Sequence, residues 1–391
     1  MHEETTIVHS GLHPERHHGA VNPPVYHAST ILSPTVEEFR RRRKDWLLEQ
    51  PGTFYGRYGT PTTEALREAI AVLEGGHRTL LYPSGLAACA GALLAYLSSG
   101  DHVLMSDSVY GPTRNFAKGF LARFGVSTTF FDPLAGSSID SLMRPETRVV
   151  YLESPGSLTF EMQDTPAIGE LARRRGITVI ADNTWATPLY FKPFVHGIDV
   201  SVQSATKYIV GHSDAMLGAV TCAKHAWQKL KASTYELGQT AGPDDIYLGQ
   251  RGLRTLAVRL KQHWAAGLAL AEWIVRRPEV ERVLYPALPG DPGHAIWKRD
   301  FSGASGLFSV VLKEGISDRA LCAMIDGLEL FGIGSSWGGF ESLIVPFDPG
   351  EMRTATRWPH KGPSFRIHAG LENVEDLISD LDAGFRRLHA A

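Results

Sequence analysis

Lys207 follows the strand-like run Asp199-Val200-Ser201-Val202-Gln203 and stands directly behind Ser204-Ala205-Thr206. Upstream, Ile177-Thr178-Val179-Ile180-Ala181 reads as a second strand that ends in Asp182-Asn183. In an open α/β sheet the carboxyl ends of neighbouring strands form the ligand crevice, so Asp182 and Lys207 are predicted to face one small molecule. A desolvated lysine loses its proton more readily and becomes an amine nucleophile that condenses with a carbonyl. An aspartate opposite it suits a protonated ring nitrogen. That pairing is how a protein holds pyridoxal phosphate, and the hydroxyls of Ser204 and Thr206 add donors for a phosphate.

Further residue types extend the pattern. Ser84-Gly85-Leu86 stands where a strand turns into an Ala-rich helix, and a helix start offers free N–H groups and a positive dipole end to an anion. Gly85 lets that anion approach closely. Tyr110 follows another strand and would present an aromatic face at the same sheet edge, with a hydroxyl able to take a proton if nearby cations lower its pKa. Arg57, in Phe54-Tyr55-Gly56-Arg57-Tyr58-Gly59, could fork onto a phosphate. Arg366 lies inside an apolar strand, downstream of a tight Ser336-Trp337-Gly338-Gly339 loop, and a guanidinium held on a strand makes a bidentate clamp for an α-carboxylate. Taken singly, each has a plain structural reading: a snorkelling lysine, a helix cap, a turn, a packing tyrosine, a salt bridge. Together they point to chemistry.

The elements that must position these residues follow from periodicity. Residues 1–60 show little of it, apart from one helix near 35–48, and read as an extended arm with little core of its own that packs on another subunit. From 61 to 250, short apolar runs alternate with helical stretches. Strands are expected at 79–82, 102–105, 128–131, 149–152, 177–181, 200–202 and 217–221, with helices near 64–74, 85–98, 111–124, 164–175 and 223–236. This alternation predicts an α/β large domain with one mainly parallel sheet. Residues 251–391 form a smaller α+β C-terminal domain. It opens on one amphipathic stretch at 253–277 and continues with strands at 307–312, 342–345 and 365–368 and helices near 318–330 and 374–388.

A chain of 391 residues with 43% hydrophobic and 21% charged residues has room for two domains with sizeable cores. A formal net charge of -3 supplies no general attraction to nucleic acid or an acidic bilayer. The run Arg40-Arg41-Arg42-Arg43-Lys44, flanked by Glu37, Glu38 and Asp45, reads as a solvated helix face. His9, His13 and His17 recur every fourth residue, but Gly11 and Pro14 interrupt the helix that would align them, so no metal site is expected. Cys89, Cys222 and Cys322 lack a CxxC pair and read as reduced, buried thiols. Met1-His2-Glu3-Glu4 has neither a basic nor an apolar leader, and no stretch approaches membrane-spanning length, so a cytoplasmic protein is expected.

Ser204-Ala205-Thr206-Lys207-Tyr208 with Gly211-His212-Ser213-Asp214 resembles the lysine motif of the Cys/Met-metabolism pyridoxal-phosphate enzymes. The similarity runs from Gly19-Ala20-Val21-Asn22-Pro23-Pro24-Val25-Tyr26 to Phe365-Arg366-Ile367-His368-Ala369-Gly370-Leu371-Glu372. It implies the type I fold of pyridoxal-phosphate transferases and a homotetramer of two tight dimers. It also implies that Tyr55 and Arg57 reach a neighbour's cofactor phosphate, that Tyr110 stacks on the ring, that Arg366 binds the substrate carboxylate, and that Ser336 and Trp337 line the substrate. Many members carry Glu-(Ser/Thr)-Pro-x-Asn-Pro where this chain has Glu153-Ser154-Pro155-Gly156-Ser157-Leu158. That departure resembles the bacterial cystathionine β-lyase branch and implies β-elimination from cystathionine. The methionine γ-lyase, cystathionine γ-lyase and cystathionine γ-synthase activities are the alternatives within the family. A cofactor-binding regulator is a distant one, since no helix-turn-helix module is appended.

Overall fold

In the computed structural model, which describes residues 1–49 and 52–389, two sheets carry the candidate residues. The larger has seven strands: β1 (Arg78–Tyr82), β2 (His102–Ser106), β3 (Ser127–Phe131), β4 (Thr147–Glu153), β5 (Thr178–Asp182), β6 (Val200–Gln203) and β7 (Gly218–Cys222). Their order is β1-β7-β6-β5-β4-β2-β3. The five strands from β6 to β3 are parallel, while β7 runs antiparallel to both β6 and β1. β1 therefore points the same way as β5 and β6, and the carboxyl ends of all three share one edge.

Side-chain alternation explains why the sheet is covered on both faces. Leu80, Val103, Met105, Val149, Tyr151, Ile180, Val200, Val202 and Val220 point to one face and pack with Ala88, Ala92 and Leu93 of the helix Gly85–Tyr96. Their strand neighbours Leu104, Val150, Leu152, Val179 and Ala181 pack on the other face with Ile168 and Leu171 of the helix Thr165–Arg175. Each aliphatic side chain buried in this way contributes about 1.5–3 kcal/mol. The expected helix near 111–124 forms, but only Gly111–Phe116 is α-helical and residues 117–121 continue as a π-helical turn.

The second sheet comprises β8 (Val280–Leu284), β9 (Leu307–Leu312), β10 (Gly332–Ile333), β11 (Leu343–Phe347) and β12 (Ser364–His368), in the order β10-β11-β12-β9-β8. The helices Asp318–Asp326 and Val374–Leu388 pack with it through Leu321, Met324, Ile325, Leu377, Leu381 and Phe385. β8 was not expected. Its Val-Glu-Arg-Val-Leu pattern sits at the sheet edge and presents too short an apolar signal.

Four expectations need correction. The amphipathic stretch 253–277 starts inside a preceding helix: Pro243–Arg254 and Leu256–Ile274 meet at Thr255, where the backbone leaves helical geometry (ψ 4°). Arg259 reaches back across that break to the carbonyls of Gly252 and Tyr208 at 2.7 and 2.8 Å. Position 250 lies inside the first of these helices. The beginning of the arm is not extended but packs on its own chain: helix Glu3–His9 buries Ile7, and Arg254 donates to the carbonyls of Ile7 and Ser10 at 2.6 and 2.9 Å. Cys322 is exposed, whereas Cys89 and Cys222 are buried as expected. The helix carrying Cys322 turns Ala320, Leu321, Met324 and Ile325 inward, which leaves position 322 on the opposite face. The fourth correction concerns Tyr110 and follows below. Residues 50, 51, 390 and 391, which fall within the expected arm and C-terminal domain, lie outside the described residues.

Candidate active site

Asp182 is the last residue of β5 and lies beside Val202 of β6; Lys207 stands four residues past the end of β6. Asp182 is buried, and burial raises its carboxyl above the usual range. Hydrogen bonds from the Thr184 hydroxyl, from the Thr184 N–H at 3.0 Å and from the Cys89 thiol at 3.7 Å oppose that shift. Burial lowers the Lys207 ammonium from 10.5 to about 8; the Arg366 charge adds to the effect and Asp182 opposes it. Lys207 Nζ donates to Ser336 Oγ at 2.6 Å and lies 5.3 Å from the Trp337 ring centroid. Asp182 and Lys207 thus feel each other's charge, and the Ser336-Trp337 loop of the small sheet meets Lys207.

Arg366 occupies the centre of β12, and burial lowers its guanidinium to about 10. Its Nη2 donates to the carbonyls of Ser335 and Ser336 at 3.2 and 3.3 Å. Among the described residues Arg366 forms no ion pair, so the salt-bridge reading of this arginine is not what the fold uses. Its charge remains available to an anion. Gly338 (φ 87°) sits where a Cβ would approach Tyr208 N at 2.9 Å, so the loop backbone lies directly on the Lys207-Tyr208 backbone. Gly338 N–H donates to His368 Nε2 at 3.1 Å, which pins the loop from below.

The helix start at Ser84-Gly85-Leu86 reaches the same edge. Ser84 caps it by accepting from Ala87 N–H at 3.1 Å and Ala88 N–H at 3.1 Å, leaving the Gly85 and Leu86 amides without intrahelical acceptors. A Cβ on Gly85 would fall 2.3 Å from Ser204 Oγ, so this glycine keeps the space between helix start and Ser204 open. Thr206 closes the lysine loop: its hydroxyl donates to Leu217 O at 3.1 Å and accepts from Leu217 N–H at 2.9 Å.

Tyr110 is 44% exposed, with its N–H bonded to Glu153 Oε2 at 2.6 Å. Its phenol is pushed up, not down. Burial is the largest cause, and Cys89, Glu153 and Asp182 outweigh the single opposing cation, Arg366. A depressed tyrosine pKa is therefore not built into this fold. Glu153 lies beside Asp182 on adjacent strands, and burial followed by the Asp182 charge holds it well above the usual carboxylate range. Glu153, Thr184, Cys89 and His368 are neighbours of these residues that sequence pattern does not place there. The strand order, which puts Glu153 next to Asp182, was the one signal that could have found the first of them.

Tyr55 and Arg57 make none of these contacts. Arg57 donates to Tyr235 O at 3.0 Å and Tyr58 Oη at 3.1 Å, with its guanidinium carbon 4.5 Å from the Tyr58 ring centroid. Tyr55 is 39% exposed.

The sequence model of a family described as Cys/Met metabolism PLP-dependent enzymes matches residues 4–386. The chain belongs to that family. Its relatives include cystathionine beta-lyase MetC of Escherichia coli, 44% identical over 98% of both chains. The L-alanine/L-glutamate racemase of Wolbachia pipientis is 41% identical over 99% of this chain and 98% of that one. A crystal structure of metB from Corynebacterium glutamicum superposes with a TM-score of 0.90 at 29% identity, covering 100% of this chain and 99% of that chain. The Cys/Met-metabolism fold, with its large mainly parallel sheet and smaller second domain, is thus the fold expected from the sequence.

The residues present fit the family's cofactor. Asp182 is a buried carboxylate that forms no ion pair among the described residues, which matches a protonated pyridine nitrogen. Lys207 is an amine with weakened hold on its proton. Gly85, Leu86 and Ser204 leave a small polar cradle suited to a phosphate.

Proposed function

We propose that this chain is a pyridoxal-phosphate-dependent carbon–sulfur lyase that cleaves the Cβ–S bond of L-cystathionine, giving homocysteine, pyruvate and ammonia. The observation that carries this reading is that Asp182 and Lys207 of the large sheet and Arg366 of the small sheet lie close enough for both Asp182 and Arg366 to shift the Lys207 ammonium, with Arg366 in no ion pair among the described residues. In this reading Gly85, Leu86, Ser204 and Thr206 hold the phosphate, Thr206 by turning its hydroxyl from Leu217. Asp182 holds the proton on the ring nitrogen, and Tyr110 stacks on the ring. Tyr55 and Arg57 complete the site of a neighbouring copy, in a homotetramer built from two dimers. Residues 1–60, 61–250 and 251–391 act as arm, cofactor-binding domain and small domain of a cytoplasmic enzyme of methionine biosynthesis.

When bound, pyridoxal phosphate supplies an electrophilic carbonyl carbon and a protonated ring that stores the electron pair released at Cα. Arg366 binds the α-carboxylate and so fixes the direction of the Cα–H bond. Lys207, whose proton is easily lost, takes the Cα proton, while Ser336 Oγ orients Nζ and Trp337 shields it from water. Departure of the thiolate from Cβ needs no second proton removal. Elimination at Cγ would need one, from Cβ. The Gly156-Ser157-Leu158 turn, where Ser157 N–H donates to Ser108 O at 2.7 Å, offers no asparagine amide there and suits the simpler route.

Incubation of the cofactor-loaded protein with L-cystathionine tests this. Pyruvate should be the dominant keto acid, with methionine a poor substrate because its sulfur is attached only at Cγ. Dominant 2-oxobutyrate would assign a γ-lyase, brisk methanethiol release from methionine a methionine γ-lyase, and racemisation of alanine without keto acid a racemase.

A further inference from the structure

The loop between β11 and β12 is gripped by two carboxylates of the large domain, buried Asp107 and half-buried Glu161. Asp107, just past the end of β2, is 2% exposed, and its carboxylate receives three consecutive backbone amides of that loop: Thr354 at 3.1 Å, Ala355 at 2.9 Å and Thr356 at 2.9 Å. The hydroxyls of Thr354 and Thr356 add bonds at 3.3 and 3.0 Å, and Arg114 pairs with Asp107 at 2.9 Å while donating to the Thr354 hydroxyl at 2.5 Å. One residue earlier the charges are reversed. Arg353, its side chain 7% exposed, crosses to the large domain and bonds Glu161 and, at 2.6 Å, the hydroxyl of Thr159.

Such a set is not needed to close a surface loop. A carboxylate that receives successive backbone N–H groups, with an arginine behind it, is a charge-assisted contact that fixes position and orientation. Removing one partner leaves the other charge buried and unpaired. The gripped loop joins the strand β11 directly to β12, whose central residue is Arg366, and Arg366 in turn holds the carbonyls of Ser335 and Ser336. On the large-domain side, Asp107 and Arg114 flank Tyr110, and Glu161 follows the Gly156-Ser157-Leu158 turn.

We infer that residues 353–356 are a latch: Asp107 and Glu161 lock the small domain against the large one, and this contact sets the distance from Arg366 to Lys207. Asp107, Arg114, Arg353 and Glu161 are positioning residues for binding the substrate carboxylate. The inference rests on the proposed role of Arg366. Burial opposes ionisation of Asp107, but the amides of Thr354 and Thr356 and the Arg114 guanidinium outweigh it, so the carboxyl stays below its ordinary range and the latch is charged at neutral pH.

The test uses the cofactor-loaded protein and two ligands, read by the change each makes in the visible absorbance. L-Alanine has no leaving group at Cβ, and ethylamine is the same molecule without its carboxylate. In Asp107→Asn, Arg353→Met and the milder Thr354→Val/Thr356→Val pair, amide exchange at 354–356 should accelerate. L-Alanine should bind roughly tenfold or more weakly, with ethylamine little changed, because only the carboxylate clamp has moved. The pair removes hydroxyls only and decides the matter if Asp107→Asn fails to fold. Accelerated exchange with unchanged alanine binding would overturn the latch, as would equal weakening of both ligands. Arg366→Lys separates the two ideas: unchanged alanine binding in that variant would overturn the assigned role of Arg366 itself. Weakened binding there, with the latch variants unaffected, would overturn the latch alone.

Discussion

Lys207 Nζ and Ser336 Oγ, 129 residues apart in the chain, lie 2.6 Å from each other, with the lysine donating. This hydrogen bond joins the large sheet's lysine to a loop of the small sheet, so the amine is positioned from both sheets.

The lowered ammonium pKa of about 8 gives a pH signature. In cofactor-free protein, the rate at which pyridoxal phosphate becomes borohydride-fixable on Lys207 should rise through a midpoint near pH 8. A surface lysine would titrate near 10.5. Mass spectrometry should find the label on Lys207, and Lys207→Ala should remain unlabelled. Between about pH 8 and 10.5 the unfolded chain holds a proton that the folded one has lost, so this group makes the fold more stable as pH rises across that window.

Asp182→Asn keeps the size of the side chain and removes its charge. The protein should still take up cofactor, since Lys207 and the helix start are untouched, yet lose activity on the order of a hundredfold or more. Loss of uptake with full activity in the remaining loaded fraction would show that Asp182 serves structure alone.

Arg57 is held by Tyr235 and Tyr58 of its own chain, away from Lys207. If it serves a neighbour, Arg57→Ala and Lys207→Ala homomers should both be nearly inactive, and co-refolded mixtures should recover activity through dimers with one intact site. Absence of recovery, with subunit exchange shown independently, would return Arg57 to its own chain.

Glu74 is buried and raised to about 7 by that burial, with Gln203 Nε2 at 2.9 Å and Ser201 Oγ at 3.1 Å opposing. The folded chain holds this proton when the unfolded one, at 4.5, has released it. Its stabilising contribution is full below about pH 4.5 and is lost as pH rises through 7. Thermal melts of Glu74→Gln should show a flatter decline in stability over that range, and an unchanged slope would refute the assignment.

Short-range pattern determined much of this protein. Alternating apolar runs placed β1 to β7 within a residue or two, because strands buried on both faces must be apolar throughout, and residue type at their ends singled out Asp182, Lys207 and Gly85. Tertiary structure alone decided three things. It decided that Arg366 forms no ion pair among the described residues, since pairing depends on which loops fold over β12. It decided that at Tyr110 burial, with Cys89, Glu153 and Asp182, outweighs the cation Arg366 and raises the phenol. It also brought Asp107 to residues 354–356, nearly 250 positions away, by a choice of loop path that local propensity does not encode. Propensity and periodicity are properties of neighbours in sequence, whereas burial, charge pairing and the space at a sheet edge belong to neighbours in space.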